Sequence, residues 1–306
     1  MKIQVYGASR VRPVAIALVV AAAALVAGCG LQAPAGDGAV SIIVTRDFGA
    51  RRLGSATVPK VLGGATALGV LRRRYTVTMG AGSSVKAING VLAGAAGGRW
   101  ALYVNGVAVG PGTPVHAGDR IWWDLESSRT RPRAVVGSFP EPFLHGLGGK
   151  RFPTTLECAG DVQAACRRVM ATLGRHHIAA SSQLLGAGSG QDSLTIVIAT
   201  WRDIRPELAA TVLARGPASS GVFARFVGGR AAALQLLDAA GAPGRTISSS
   251  AGLIAALRQP PAPPTWLILG TDVAGVNAAA RALNLGVLRD HVALVISGAH
   301  ELPVPR

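Results

Sequence analysis

The chain has 306 residues, with 31 Lys or Arg against 15 Asp or Glu, a formal charge of +16, and 49% hydrophobic but only 15% charged residues. Charged residues average about 25% in globular domains, so ample apolar mass with little charge excludes a disordered chain. Three cysteines are too few for a disulfide-built scaffold. The cations are 27 Arg and 4 Lys, scattered along the chain without interleaved stacking aromatics. That pattern sets nucleic acid aside as a partner and suits a surface near anionic lipid headgroups.

Met1 to Pro13 carries Lys2, Arg10 and Arg12 and no acid, and Val14 to Ala27 is an unbroken apolar run of 14 residues. A helix needs about 20 apolar residues to span the hydrocarbon core, so the run has the length of a signal-peptide core instead. It ends in Val26-Ala27-Gly28-Cys29, which resembles the lipobox of bacterial lipoproteins. The resemblance implies a signal peptide over 1–28, cleavage after Gly28, and Cys29 as an acylated first residue bearing palmitate-type chains. Each buried methylene contributes about 0.8 kcal/mol, so two or more chains anchor a protein stably where one does not. Residues 29–38 then read as a Pro/Gly/Ala-rich tether. The mature chain, at 28 − 15 = +13, is expected on the extracytoplasmic face of the cell membrane, held at one end.

Residues 39–126 read as a small α+β unit. Val40 to Thr45 is β-branched strand, Leu53 to Pro59 its hairpin partner after the Gly49 turn, and Thr66 caps a helix to Arg74. Tyr75 to Met79 returns to strand. Arg99 to Val104 is a strand closed by Asn105-Gly106, a pair suited to the positive φ angles of a type I′ turn. Arg120 to Glu126 is the last strand. The motifs Trp100-x-x-Tyr103-Val104-Asn105-Gly106 and Gly118-Asp119-x-Ile121-x-Trp123 resemble the transcobalamin C-terminal-like β-grasp family of bacterial surface lipoproteins. That resemblance implies a β-grasp domain and, as a bound ligand, cobalamin or a similar corrinoid. Strand alternation puts Trp100, Leu102, Val104, Ile121, Trp123 and Leu125 on a core face. Tyr103 and Trp122 then share the opposite face with Asp124 and Glu126. This face is either a ligand platform, with Asn105 and Gly106 at its edge, or the surface that packs on a second domain. Asn105, Gly106, Gly118 and Asp119 read most simply as turn chemistry.

Residues 127–153 mix Ser, Arg, Pro and Gly without periodicity and read as a linker. Residues 154–306 alternate strand and helix, an α/β domain with a mixed sheet and helices on its faces. A strand at Thr155 to Cys158 precedes a helix with Val162, Ala165, Cys166, Val169, Met170 and Leu173 on one stripe. Strands are expected at Leu194–Thr200, Gly221–Val227, Ala233–Leu237, Trp266–Leu269 and Val292–Ile296, the last closing the chain. A helix is expected at Ala251–Arg258, and Asp272 caps another. Outside the cytoplasm Cys158 and Cys166 are expected to pair, the alternative being a buried Cys166 thiol and a free Cys158. No metal-ligand spacing occurs, and His176-His177 read as a solvated helix end.

Motifs of chemistry are sparse. Gly186 to Gly190 lacks the order of a nucleophile elbow, and Asp272, at a strand-to-helix turn where α/β sites cluster, is explained as well by capping. The expectation is therefore a membrane-anchored, non-catalytic ligand-binding module. The alternative is a module that docks another cell-envelope protein.

Overall fold

The computed structural model describes residues 38–94, 98–128, 130–229 and 231–305. The segment expected to be a signal peptide, Cys29 and nearly all of the expected tether lie outside them.

In the first lobe, β1 (Val40–Arg46) and β2 (Arg51–Val58) form a hairpin, followed by the short helix α1 (Ala67–Arg72). Thr66 caps α1, its hydroxyl accepting from the Gly69 amide. A small three-stranded sheet follows, of β3 (Val77–Met79), β4 (Val85–Ile88) and β5 (Val91–Leu92). The chain then runs through β6 (Arg99–Val104), β7 (Val107–Ala108) and β8 (Arg120–Glu126). The main sheet is ordered β2-β1-β8-β6-β7, with β1 and β8 parallel and the other pairs antiparallel. Alternation gives the sheet two apolar faces. Val40, Ile42, Val44, Trp100, Leu102, Ile121 and Trp123 bury against Ala67, Val70 and Leu71 of α1 in one cluster. Ala101, Tyr103 and Trp122 belong to a second, larger cluster shared with the other lobe.

That lobe opens with β9 (Thr154–Cys158), α2 (Gln163–Arg175), β10 (Ala180–Leu184) and β11 (Leu194–Thr200). Three short helices follow, α3 (Trp201–Ile204), α4 (Leu208–Ala214) and α5 (Pro217–Ser220). Next comes a separate antiparallel sheet of β12 (Ala224–Val227), β13 (Ala233–Leu237) and β14 (Pro243–Ile247). The chain ends through β15 (Ala251–Leu257), β16 (Thr265–Gly270), α6 (Val273–Ala282), α7 (Leu285–Leu288), β17 (Ala293–Ser297) and β18 (His300–Val304). The seven-stranded sheet is ordered β10-β9-β11-β16-β15-β17-β18, its first four strands parallel and the rest antiparallel. The mixed sheet is as expected. α2 and α6 pack on each other and on the sheet. Cys158 and Cys166 are joined as a disulfide, their Cα atoms 6.2 Å apart, tying the end of β9 to the first turns of α2. No helix among the described residues is long and apolar enough to cross a membrane.

Two expectations about the second lobe need correction. Ala251–Arg258 is a strand, not a helix, and lies within the large sheet with all seven residues of β15 buried. An all-apolar Ala-Gly-Leu-Ile-Ala-Ala-Leu stretch carries neither a two-residue nor a 3.6-residue period, so pattern cannot decide between them. Nor does Val292–Ile296 close the chain, because β18 adds an edge strand beyond it.

From Asp37 onward the chain is one compact unit, and the stretch expected to be a linker explains why. Ala134, Val135, Val136, Phe139 and Phe143 are buried. Val107 bridges to Ala134, while the Val136 amide donates to Val292 O across to the second lobe (3.1 Å). Phe139 and Phe143 both lie against Trp266 of β16, at 6.0 and 5.1 Å between ring centres. Residues 133–143 are a plug common to both lobes. The polar and proline-rich residues around it masked this role in the sequence.

Candidate functional site

The face of β8 that carries Trp122, Asp124 and Glu126 is the junction between the lobes. Trp122 Nε1 donates to Thr45 Oγ1 (2.7 Å), and that hydroxyl donates to Asp124 Oδ1 (2.5 Å). Asp124 also accepts from the amides of Phe48 (2.9 Å) and Gly49 (3.1 Å). These bonds hold a β1–β2 turn in which Asp47, Phe48 and Gly49 all have positive φ (59°, 58° and 84°). The turn drives the Phe48 ring into the second lobe, edge-on to Phe223 at 5.5 Å. Gly49 passes so close to Asp290 that a Cβ would lie 1.7 Å from its carbonyl oxygen. Arg52 pairs with the Asp290 carboxylate beside it, its Nε at 3.0 Å.

Burial raises the Asp124 carboxyl to about 6, against the pull of its three hydrogen bonds. Glu126 has less help. Tyr103 donates to its Oε1 (2.5 Å), while its Oε2 is buried without a partner. Burial, followed at a distance by the neighbouring Asp124 charge, raises Glu126 to about 8 despite the Tyr103 bond. Burial and the adjoining Glu126 likewise hold the Tyr103 phenol well above its ordinary value.

Asn105 and Gly106 form the expected left-handed turn, with φ of 50° and 77°. The Asn105 amide donates to Asp119 Oδ1 (2.8 Å) and Gly146 O (2.7 Å), and its oxygen accepts from the Arg120 amide (2.9 Å). Nearby, Glu141 accepts from both the backbone amide and the ring Nδ1 of His145 (2.9 and 2.6 Å), and that ring bond raises the His145 pKa. This polar cluster fastens the end of the first sheet to residues 141–146.

The ligand platform therefore needs correction. Tyr103 and Trp122 are 1% and 2% exposed, their rings 5.3 Å apart beneath the second lobe. Asp124 is fully buried, and Asn105 and Gly106 are also enclosed. The structure brings these five residues together as the weld between two lobes, not as an open surface. Asp272, the other candidate, caps α6. It accepts from the Gly275 amide (2.8 Å) and from Ser250 Oγ (2.6 Å).

An open site lies around the corner, at the outer edge of β6. A cavity of about 320 Å³ is lined there by Ser84, Arg99, Trp100, Leu102, Trp123 and Arg131, among others. Its volume falls within the range of small-ligand sites, and its lining joins indoles, hydroxyls and two guanidinium groups. Burial, then the charge of Arg131, lowers the Arg99 pKa, so the fold holds these two cations close enough to feel each other. Sequence reasoning missed this site because Arg131 sits in the apparent linker. One signal was available. Gly110-Pro111-Gly112 stops the hairpin partner of β6 early, leaving part of that strand uncovered.

No protein-family model matches the chain, and no curated protein sequence is similar to it.

Proposed function

We propose that this chain is a lipid-anchored, extracytoplasmic binding module without catalytic activity, and that it takes its ligand or partner in the cavity beside β6. The lipobox-like Val26-Ala27-Gly28-Cys29 supports the anchor and the address. A β-grasp first lobe is supported by the β1–β2 hairpin, the following helix α1 and the parallel pairing of β1 with β8 inside the sheet.

The observation that carries the binding reading is the convergence of Arg99 and Arg131 on a cavity lined by Trp100 and Trp123. The same observation weakens the corrinoid reading. The corrinoid reading rests on the family resemblance; the Tyr103/Trp122 face offered as a ligand platform is covered, and a cavity of about 320 Å³ is too small to enclose so large a ring system. The carboxylates Asp124 and Glu126 are turned toward the junction, where their hydrogen bonds serve the fold.

The test is retention from a cell-envelope extract. Purified wild-type protein and Arg131→Glu are incubated with the same extract, and bound compounds and peptides are compared by mass spectrometry. A species kept by the wild type and lost from the variant supports the reading. Identical retention by both contradicts it. Intact mass of the native protein tests the anchor separately: a processed chain beginning at acylated Cys29 is expected, and an unprocessed or unacylated chain would overturn it.

A further inference from the structure

One edge of the seven-stranded sheet is bare. β10 lies there, paired on one side with β9 in parallel register, Ala180 beside Thr154 and Leu184 beside Cys158. The Leu185 amide donates to Cys158 O (3.1 Å), which sets the phase of the ladder. Ser181 and Gln183 thus turn their backbone groups toward β9, while Ala180, Ser182 and Leu184 turn theirs outward. Of these outward groups only the Leu184 carbonyl has a partner among the described residues, the Ala187 amide (3.2 Å). Ser181, Ser182 and Leu184 are exposed, and Leu184, at 69%, is the most exposed of the described large hydrophobic residues.

Proteins usually cover, charge or shorten a sheet edge, because unpaired backbone groups are a template for another strand. The other described edges follow that rule. β2 carries Arg51 and Arg52, β18 Glu301 and Pro303, β14 Pro243 and Arg245, and β12 Arg225. β7 is covered where the Ala108 amide donates to Arg133 O (3.0 Å), and β3 and β5 are only 3 and 2 residues long. β10 has neither charge, proline, bulge nor cover. Its pattern is also self-complementary. A strand of 5 residues whose first, third and fifth members turn outward is symmetric about Ser182. Across a two-fold axis it meets its own copy with Ser182 opposite Ser182, Ala180 opposite Leu184 and Ser181 opposite Gln183. Hydroxyl meets hydroxyl, apolar meets apolar and hydroxyl meets amide, with no like charges opposed. In a chain of formal charge +16, a line of contact without cations is what allows two copies to approach.

We propose that two copies of this chain pair through β10 as antiparallel neighbours, joining their seven-stranded sheets into one across a two-fold axis at Ser182. The two Ser182 residues exchange N–H···O bonds, and Ala180 and Leu184 of each copy exchange theirs with Leu184 and Ala180 of the other. Leu184 gains an apolar neighbour in Ala180 of the second copy. The same patch serves both copies, so the contact closes as a dimer and does not propagate into a fibre. The proposal is independent of the cavity reading.

The test is register-resolved cross-linking of the purified full chain in detergent. The buffer carries salt, because α2 packs beside β10 and holds Arg167 and Arg168 exposed. Directly opposed residues of a hydrogen-bonded antiparallel pair have Cα atoms about 5.5 Å apart, within disulfide reach. Ser182→Cys is therefore expected to give a disulfide-linked dimer under mild oxidation. Ser181→Cys and Gln183→Cys are each expected to stay monomeric on a non-reducing gel, because their own copies lie diagonally, beyond about 7 Å. An equimolar mixture of those two variants is expected to cross-link. Sedimentation of the wild type is expected to show a dimer that dissociates on dilution. Ser182→Pro removes an N–H that faces away from β9, so it is expected to weaken the dimer at least about tenfold with unchanged thermal unfolding. A wild type that stays monomeric up to about 100 μM would overturn the proposal. So would equal cross-linking at all three single positions, which marks random collision, or a dimer in which Ser182→Cys does not cross-link, which places the interface elsewhere.

Discussion

Glu126→Gln should stabilise the protein at alkaline pH and leave it unchanged near pH 5. The Glu126 carboxyl is buried with one hydrogen bond, from Tyr103, and its native value is raised from 4.5 to about 8. The native state therefore holds this proton more tightly than the unfolded chain does between those two values. Stability must fall as pH rises through that window, because ionising the group favours unfolding. At about 1.36 kcal/mol per pH unit, the full span corresponds to a loss on the order of 5 kcal/mol above pH 8, an upper bound once water enters the site. Asp124, raised from 3.8 to about 6, adds a loss of the same sign at lower pH. Glutamine keeps the shape and the acceptor for Tyr103 but cannot ionise. Chemical denaturation of both proteins from about pH 5 to pH 9 reads the effect. The wild type should lose several kcal/mol between pH 6 and 9 while the variant keeps a nearly flat profile. A flat wild-type profile, or two parallel curves, would refute the argument.

Two residues away the sign reverses: Asp124 Oδ1 receives the Thr45 hydroxyl and the Gly49 amide and Oδ2 the Phe48 amide, and Asp124→Asn replaces one of these acceptors with a group that can itself donate. A loss of about 2–3 kcal/mol in denaturant unfolding at pH 7 is expected. Phe48→Ala should cost about 3–5 kcal/mol in the same assay, because the ring is 7% exposed and packs on Phe223 across the junction. It should leave a single unfolding transition at lower temperature, since one core joins the lobes. Replacing Cys158 and Cys166 together by serine removes a bridge closed over a sequence separation of 8 and should cost about 2–3 kcal/mol. Thermal melts with and without reductant check this, the variant being insensitive to reductant.

Much of the scaffold was legible in the sequence. The β-branched run at Val40, the Asn105-Gly106 turn, the Thr66 and Asp272 caps and the stripe of α2 each rest on local chemistry that tertiary context did not override. The cysteine pair was legible through spacing and the expected compartment. What escaped depended on contacts between distant segments. Alternation correctly placed Tyr103 and Trp122 on one face, yet nothing local could tell whether water or Phe48 and the second lobe would cover it. The plug around Phe139 was hidden by its Pro, Gly and Arg neighbours, whose composition resembles a surface loop. β15 was lost because a strand buried on both faces has no alternation to show. Arg131 acquires meaning only beside Arg99, 32 positions earlier in the sequence.

The central claim is that one core, closed over Tyr103 and Trp122, joins the two lobes. Residue-resolved hydrogen exchange tests it most directly. The Tyr103 amide, bonded to β8, and the Val136 amide, bonded to Val292 O, should exchange at a common slow rate set by global unfolding. Exchange of the Val136 amide at least about 100-fold faster than that of Tyr103 would mean that the lobes open separately, and would contradict the account.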